Sequence, residues 1–101
     1  MAEQFSNWDL ADYLINPSDV AEYLNQVVED GDQAELVYAL GVVARAKGMT
    51  RIAREAGVSR EGLYTALGRG GNPTLATFTK VLDACGICMR FVPAEETLSP
   101  A

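Results

Sequence analysis

Apolar residues recur at intervals of three and four along most of the chain, and Pro and Gly mark the joints between these segments. This spacing is typical of helices that bury one face. A short first helix is predicted over residues 8–14, because the chain then meets Pro17 and the residue before a proline disfavours helical backbone. Pro17 itself suits the first turn of a second helix, whose apolar stripe covers residues 20–28 and which ends near Gly31.

Three more helices are predicted between residues 32 and 67. Asp32 is placed to cap the first of them, which has a broad apolar face and ends at Gly48. Thr50 is placed to cap a short helix that ends before Gly57, and Ser59 is placed to cap the next one.

The last helix is predicted to start at Asn72-Pro73, a cap followed by a proline, and to end at Gly86. Residues 87–92 are apolar, partly β-branched and closed by Pro93, which predicts one strand. A strand needs a backbone partner, and the sequence contains no second strand pattern. We therefore expect the partner to come from another copy, which makes the protein a homodimer.

Charge is distributed unevenly along the chain. The net charge is -6, yet residues 1–40 hold nine acidic residues and no Lys or Arg, whereas residues 41–92 hold eight basic and three acidic residues. Halves of opposite sign suit a protein that presents one surface to phosphates and another to a cationic partner. The acidic part is equally consistent with a solvated surface.

The basic half contains the pattern of two short helices that cross at a tight turn. Such a pair needs a small residue at the contact, a residue that tolerates positive φ in the turn, and apolar positions that hold the helices together. Ala53 and Gly57 meet the first two needs, and the apolar positions are Ile52, Val58, Leu63 and Leu67. An ordinary helical hairpin satisfies the same pattern, but the surrounding arginines favour a DNA-binding helix-turn-helix.

The chain has 101 residues, 49% of them apolar, which suffices for one compact core and not for two. We predict a single all-α domain, a compact bundle of about five to six helices with one short C-terminal strand. Its parts are acidic N-terminal helices in 1–31, the helix-turn-helix core in 32–86, the strand in 87–92 and a flexible tail in 93–101. No apolar stretch approaches the roughly 20 residues of a membrane span and no leader peptide is evident, so a cytoplasmic location is expected.

Residues 52–64, IAREAGVSREGLY, followed by Leu67, residues 70–74 and Phe78, resemble addiction-module antidote proteins, which are Xre/Cro-type helix-turn-helix antitoxins related to the HigA group. The resemblance extends upstream to about Trp8 and downstream to about Val92. It implies a lambda-repressor-like fold and a dimeric repressor of its own operon. It also implies a protein partner, a basic RelE/HigB-like or ParE-like toxin that the antitoxin blocks.

The resemblance also implies which residues meet operator DNA. It places Ser59, Arg60, Glu61, Tyr64 and Thr65 of the second short helix against the major groove. The preceding helix crosses the DNA backbone, where its arginines meet phosphates. The remaining predicted DNA-binding residues are Arg51, Arg54, Arg69, Gly71 and Asn72. Gly62 is unexpected inside the second short helix, because a glycine there lowers the stability of the helix by about 1 kcal/mol relative to alanine.

Cys85 and Cys88 have C-x-x-C spacing, which is compatible with a redox pair, with half of a zinc site shared by two chains, or with small buried residues. We favour the last, because Cys85 is expected at a helix C-terminus and the chain has no His. No catalytic constellation is evident, so we expect neither an enzyme nor a cofactor. The alternatives to an antitoxin are a stand-alone Cro/Xre repressor and a helical adaptor that binds acidic partners.

Overall fold

A computed structural model describes residues 16–94. Within this range the chain forms five helices: α1 (Pro17–Asp30), α2 (Gln33–Lys47), α3 (Met49–Ala56), α4 (Arg60–Ala66) and α5 (Leu75–Ala84). These confirm a compact, mostly helical fold. The helix predicted over residues 8–14 and most of the predicted tail lie outside the described residues.

Three helix starts agree with the capping chemistry expected from the sequence. Pro17 occupies the first turn of α1. A backbone N–H at this position has no partner within the helix, so the helix loses no hydrogen bond by having a proline there. The Asp32 carboxylate accepts a hydrogen bond from the Glu35 N–H at 3.0 Å and starts α2. The Ser59 hydroxyl accepts one from the Gly62 N–H at 2.9 Å and starts α4.

Two predicted caps are wrong. Thr50 lies inside α3, which begins one residue earlier at Met49 and has no side-chain cap, because Met49 is buried and joins the core from the first turn. Asn72 does not cap α5 either. Thr74 does so, accepting a hydrogen bond from the Thr77 N–H at 3.1 Å, and Asn72-Pro73 stays in the preceding loop.

Every helix contributes to one core, whose fully buried large side chains are Val20, Leu40, Val43, Ile52, Leu63, Leu67 and Val81. Helix α1 packs on α2, and α3 contacts α2, α4 and α5. Tyr23 packs against this core from α1. Burial, with a smaller contribution from Tyr38, raises the pKa of the Tyr23 phenol.

A glycine inside α2 permits a close approach of Leu67, the residue that ends α4. A Cβ built on Gly41 lies 2.6 Å from the backbone carbonyl oxygen of Leu67 and 3.2 Å from its Cβ. Any side chain at position 41 therefore forces the end of α4 away from α2. Sequence patterning gave no indication of this contact, because Leu67 is distant along the chain.

The strand predicted for residues 87–92 is not present, and no strand occurs among residues 16–94. The Ile87 N–H donates to the Leu82 carbonyl at 2.9 Å, which ends α5, and the backbone of residues 88–92 then makes no hydrogen bond within the described structure. A strand is defined by a neighbouring backbone, and no part of residues 16–94 provides one to this segment.

No helix in the described part of the chain is both long and apolar enough to cross a membrane.

Candidate nucleic-acid interface

Helices α3 and α4 are short and meet through the three residues 57–59. Gly57 has φ of +75°, the left-handed conformation that glycine adopts without strain. The Gly57 N–H donates to the Arg54 carbonyl at 3.2 Å and the Val58 N–H donates to the Ala53 carbonyl at 3.0 Å. These two hydrogen bonds give partners to carbonyl groups in the last turn of α3. The turn therefore has the geometry that the sequence predicts.

The inner faces of the two helices are apolar and their outer faces are polar. Ile52, Ala53, Leu63 and Leu67 are buried, and Val58 packs against the core from the turn. The predicted DNA-binding side chains lie at exposed positions of α3, the turn, α4 and the following loop: Arg51, Arg54, Ser59, Arg60, Glu61, Tyr64, Thr65, Arg69 and Asn72. Gly71 is half-buried.

A row of alternating Arg and Tyr side chains borders α4, and we call it the Arg–Tyr row: Arg69, Tyr38, Arg45, Tyr64 and Arg60. The Arg69 guanidinium carbon lies 4.1 Å from the centre of the Tyr38 ring. The Arg45 guanidinium carbon lies 5.8 Å from the Tyr38 ring centre and 5.6 Å from that of Tyr64. Arg60 lies 5.5 Å from the Tyr64 ring centre.

Two members of this row, Tyr38 and Arg45, belong to α2 and are not among the predicted DNA-binding residues. Their spacing of seven places them on the same side of a helix, two turns apart. A basic and an aromatic residue at this spacing can be detected in the sequence. The pattern does not reveal, however, that α4 packs beside these two residues of α2.

Arg51 and Arg54 differ in their surroundings although both lie on α3. Arg51 forms an ion pair with Glu55 at 3.1 Å, four residues along the helix, and both side chains are about half exposed. Such a pair contributes about 0.3–0.5 kcal/mol. Arg54 is exposed.

The glycines of this region are explained by local packing. A Cβ on Gly62 would lie 2.9 Å from the Ser59 hydroxyl oxygen that caps α4, so the absence of a side chain preserves the cap. A Cβ on Gly71 would collide with the Ala66 carbonyl. The loop therefore folds closely onto α4, and Asn72 lies beside a separate apolar groove, next to Pro73 and Phe78.

A family profile described as "Probable addiction module antidote protein" matches residues 4–93 of the chain. The chain belongs to this antidote family. The antidote resemblance predicted from the sequence is thereby confirmed, whereas the Xre/Cro type and the relation to the HigA group stay predictions.

The antidote protein is 44% identical over 87 residues to an uncharacterized protein of Haemophilus influenzae, and the alignment covers 86% of this chain and 90% of that protein. No solved structure shows significant similarity to the antidote protein.

The two cysteines of the antidote protein occupy different environments. Both are free, and Cys85 is buried as predicted, whereas Cys88 is exposed, so the prediction of a small buried residue is wrong for Cys88. Burial raises the pKa of the Cys85 thiol to about 11, the nearby Glu55 acts in the same direction, and Lys47 and Arg51 oppose both. Such a thiol stays protonated at neutral pH, which is the behaviour of a packing residue.

An apolar groove of about 290 Å³ opens on the surface of the antidote protein beside α2 and α5. Its lining is Gln33, Leu36, Val37, Asn72, Pro73, Leu75, Phe78 and Met89. Leu75 and Met89 remain substantially exposed, and Phe91, two residues beyond Met89, is 89% exposed. Leu75 and Met89 therefore leave part of the apolar lining of the groove open to solvent.

Proposed function

We propose that this antidote protein is the antitoxin of a type II toxin–antitoxin pair, a cytoplasmic binding protein rather than an enzyme, and that α3 and α4 bind operator DNA as a helix-turn-helix. The observation that carries the DNA-binding part is the Gly57 turn, which leaves the arginines of both helices on the exposed side. Family membership supports the antitoxin part. Binding to its own promoter represses the operon.

In this proposal the two helices make different DNA contacts. Helix α4 enters the major groove, where Arg60 pairs with a guanine edge and contributes about 1–3 kcal/mol of discrimination. Helix α3 crosses the backbone, where Arg54 neutralises a phosphate and contributes affinity without sequence preference.

Titrations of single-alanine variants against the promoter duplex and a scrambled duplex test these roles. Arg54→Ala should weaken binding to both duplexes and make the salt slope shallower by about one unit. Arg60→Ala should mainly reduce the preference for the promoter. Lys80→Ala is the control, because Lys80 is an exposed cation on α5, which is not one of the two helices proposed to bind DNA. Equal losses on both duplexes for Arg60→Ala would contradict the assignment.

Toxin binding is assigned to the acidic surface that begins at α1. Glu29, Asp30, Asp32 and Glu35 are exposed around the α1–α2 junction, and Val28 beside them is 54% exposed. A basic toxin meets complementary charge there, which increases the rate of association. The RelE/HigB-like or ParE-like type of the toxin is part of the proposal.

Charge substitution tests this surface better than truncation. Deleting residues 1–30 removes Val20 and Leu24, which are buried in the core, so the shortened chain would lose stability whether or not it binds a toxin. Glu29→Lys should slow association with the toxin encoded beside the protein, and Asp83→Lys on α5 is the control. Equal association rates for both variants would place the toxin elsewhere, and failure of the wild-type protein to co-purify with that neighbour would favour a stand-alone repressor.

The homodimer is proposed to form through the apolar groove. Phe91 is 89% exposed and the groove has room for an aromatic ring, and the backbone of residues 88–92 has no hydrogen-bond partner among residues 16–94. Light scattering at micromolar concentration should give twice the chain mass, and Phe91→Ser should give the monomer. A wild-type monomer would exclude this interface.

A further inference from the structure

We propose that the Arg–Tyr row is one preordered cationic surface that extends the DNA-binding site from α4 onto α2. In it Arg45 binds a DNA phosphate, and Tyr38 and Tyr64 are positioning residues that hold guanidinium groups and do not contact bases. The inference rests on the proposed DNA binding and adds residues and roles that the helix-turn-helix alone does not supply.

The contacts within the row are continuous. Each tyrosine ring has two guanidinium groups near its centre, and each of the four ring contacts falls within the about 6 Å over which a cation is attracted to an aromatic face. The central guanidinium, that of Arg45, is shared by both rings. Three long, flexible side chains are thereby restrained before any ligand arrives, which lowers the entropy lost on binding.

The packing of the helices sets the position of the row. Arg60 and Tyr64 are one turn apart on α4, and Tyr38 and Arg45 are two turns apart on α2. The two helices approach through Gly41, which lies between Tyr38 and Arg45 in sequence and leaves space for the Leu67 carbonyl at the end of α4. The contact between Arg45 and Tyr64 therefore depends on a tertiary approach that only glycine permits at position 41.

The charge of the row calls for an anionic ligand. Arg45, Arg60 and Arg69 form no ion pair with any carboxylate of residues 16–94, in contrast to Arg51, which is paired with Glu55. A guanidinium that rests on a ring still presents N–H donors at its edge, and their planar arrangement matches the oxygens of a phosphate. Arg45 and Arg69, restrained beside the Arg60 that is proposed to contact a base, suit the regular phosphates of a duplex that lies against α4.

Tyr64 accordingly has a different role from the base contact that its position on α4 suggests. The guanidinium carbons of Arg45 and Arg60 lie 5.6 and 5.5 Å from the centre of its ring, and the residue is 37% exposed. The contribution of Tyr64 to DNA binding then comes from the ring face and does not require the hydroxyl group.

Paired substitutions distinguish a contribution of the tyrosine ring to DNA binding from a contribution of its hydroxyl group. Tyr64→Phe should bind the promoter duplex within about twofold of wild type, whereas Tyr64→Leu should bind about two- to fivefold more weakly, since the ring contact is lost. Tyr38→Phe and Tyr38→Leu should behave in the same way. Arg45→Ala should weaken binding to promoter and scrambled duplexes alike and make the salt slope shallower by about one unit, and Arg45→Lys should retain the slope. Lys80→Ala is again the control, and thermal melts verify that each variant is folded.

Three outcomes would overturn the inference. A loss for Tyr64→Phe as large as that for Tyr64→Leu would show that the hydroxyl contacts DNA. A salt slope for Arg45→Ala equal to that of Lys80→Ala would remove Arg45 from the interface while leaving the proposed helix-turn-helix intact. Failure of the wild-type protein to bind either duplex, even at low salt, would refute the proposed DNA binding itself and this extension with it.

Discussion

Replacing Gly41 with Ala tests whether the approach of α2 and α4 organises this protein. Gly41 is buried in the middle of α2, and an added Cβ would lie 2.6 Å from the Leu67 carbonyl oxygen, closer than the 3.0 Å below which real Cβ contacts essentially do not occur. The atom in the way belongs to the backbone, so it cannot rotate aside as a side chain can. The end of α4 must shift instead.

The expected change in the free energy of unfolding of Gly41→Ala follows from two opposing effects. Alanine is about 1 kcal/mol more favourable than glycine in a helix interior, so the substitution stabilises α2 locally. Overpacking of a tight core contact costs about 1–3 kcal/mol, and the backbone position of the Leu67 oxygen favours the upper part of this range. We expect the free energy of unfolding to fall by about 1–2 kcal/mol, which lowers the Tm by several degrees at about 4–8 °C per kcal/mol for a domain of this size.

Gly62→Ala is the matched comparison, because it makes the same change in another helix. Its Cβ would meet only the Ser59 hydroxyl, a side-chain atom that can rotate away. Loss of that cap costs about 1 kcal/mol and offsets the helix gain, so the stability of this variant should hardly change. Thermal and urea unfolding followed by circular dichroism measure both variants. A Gly41→Ala protein as stable as Gly62→Ala would refute the close approach of Leu67.

Three further expectations concern local features. Ser59→Ala removes the cap of α4 and should lower the free energy of unfolding by about 1 kcal/mol, measurable by urea titration. Since burial raises the pKa of the Cys85 thiol to about 11, the unfolded chain loses that proton first as the pH rises; the free energy of unfolding should therefore fall between about pH 9 and 11, and a pH series of Cys85→Ala should lack this fall. Glu55→Ala breaks the exposed pair with Arg51 and should change the free energy of unfolding by less than about 0.5 kcal/mol, while freeing Arg51 to tighten duplex binding in a low-salt titration.

The sequence alone determined the features that depend on neighbouring residues. Asp32 and Ser59 cap their helices because an acceptor side chain needs only the N–H three residues ahead. Gly57 turns the chain because only its own backbone has to adopt a positive φ. The antidote family was recognisable from residues 52–64, which cover the last five residues of α3, the turn and most of α4.

Tertiary structure decided the features that depend on distant residues. Helix α3 starts at Met49 and not after Thr50, because burial of Met49 outweighs the preference for a capping hydroxyl. Residues 87–92 have strand-like composition, but a strand exists only when a second backbone lies beside it, and residues 16–94 supply none.

The Arg–Tyr row is the clearest case of a site that only packing creates. Tyr38 and Arg45 lie on one helix and Arg60 and Tyr64 on another, and nothing in their spacing along the chain predicts that Arg45 meets Tyr64. The contact follows from the missing side chain at Gly41, which lets the Leu67 carbonyl approach α2. Helical periodicity tells which residues share a face of one helix, whereas the distance between two helices is set by the volumes of the side chains between them.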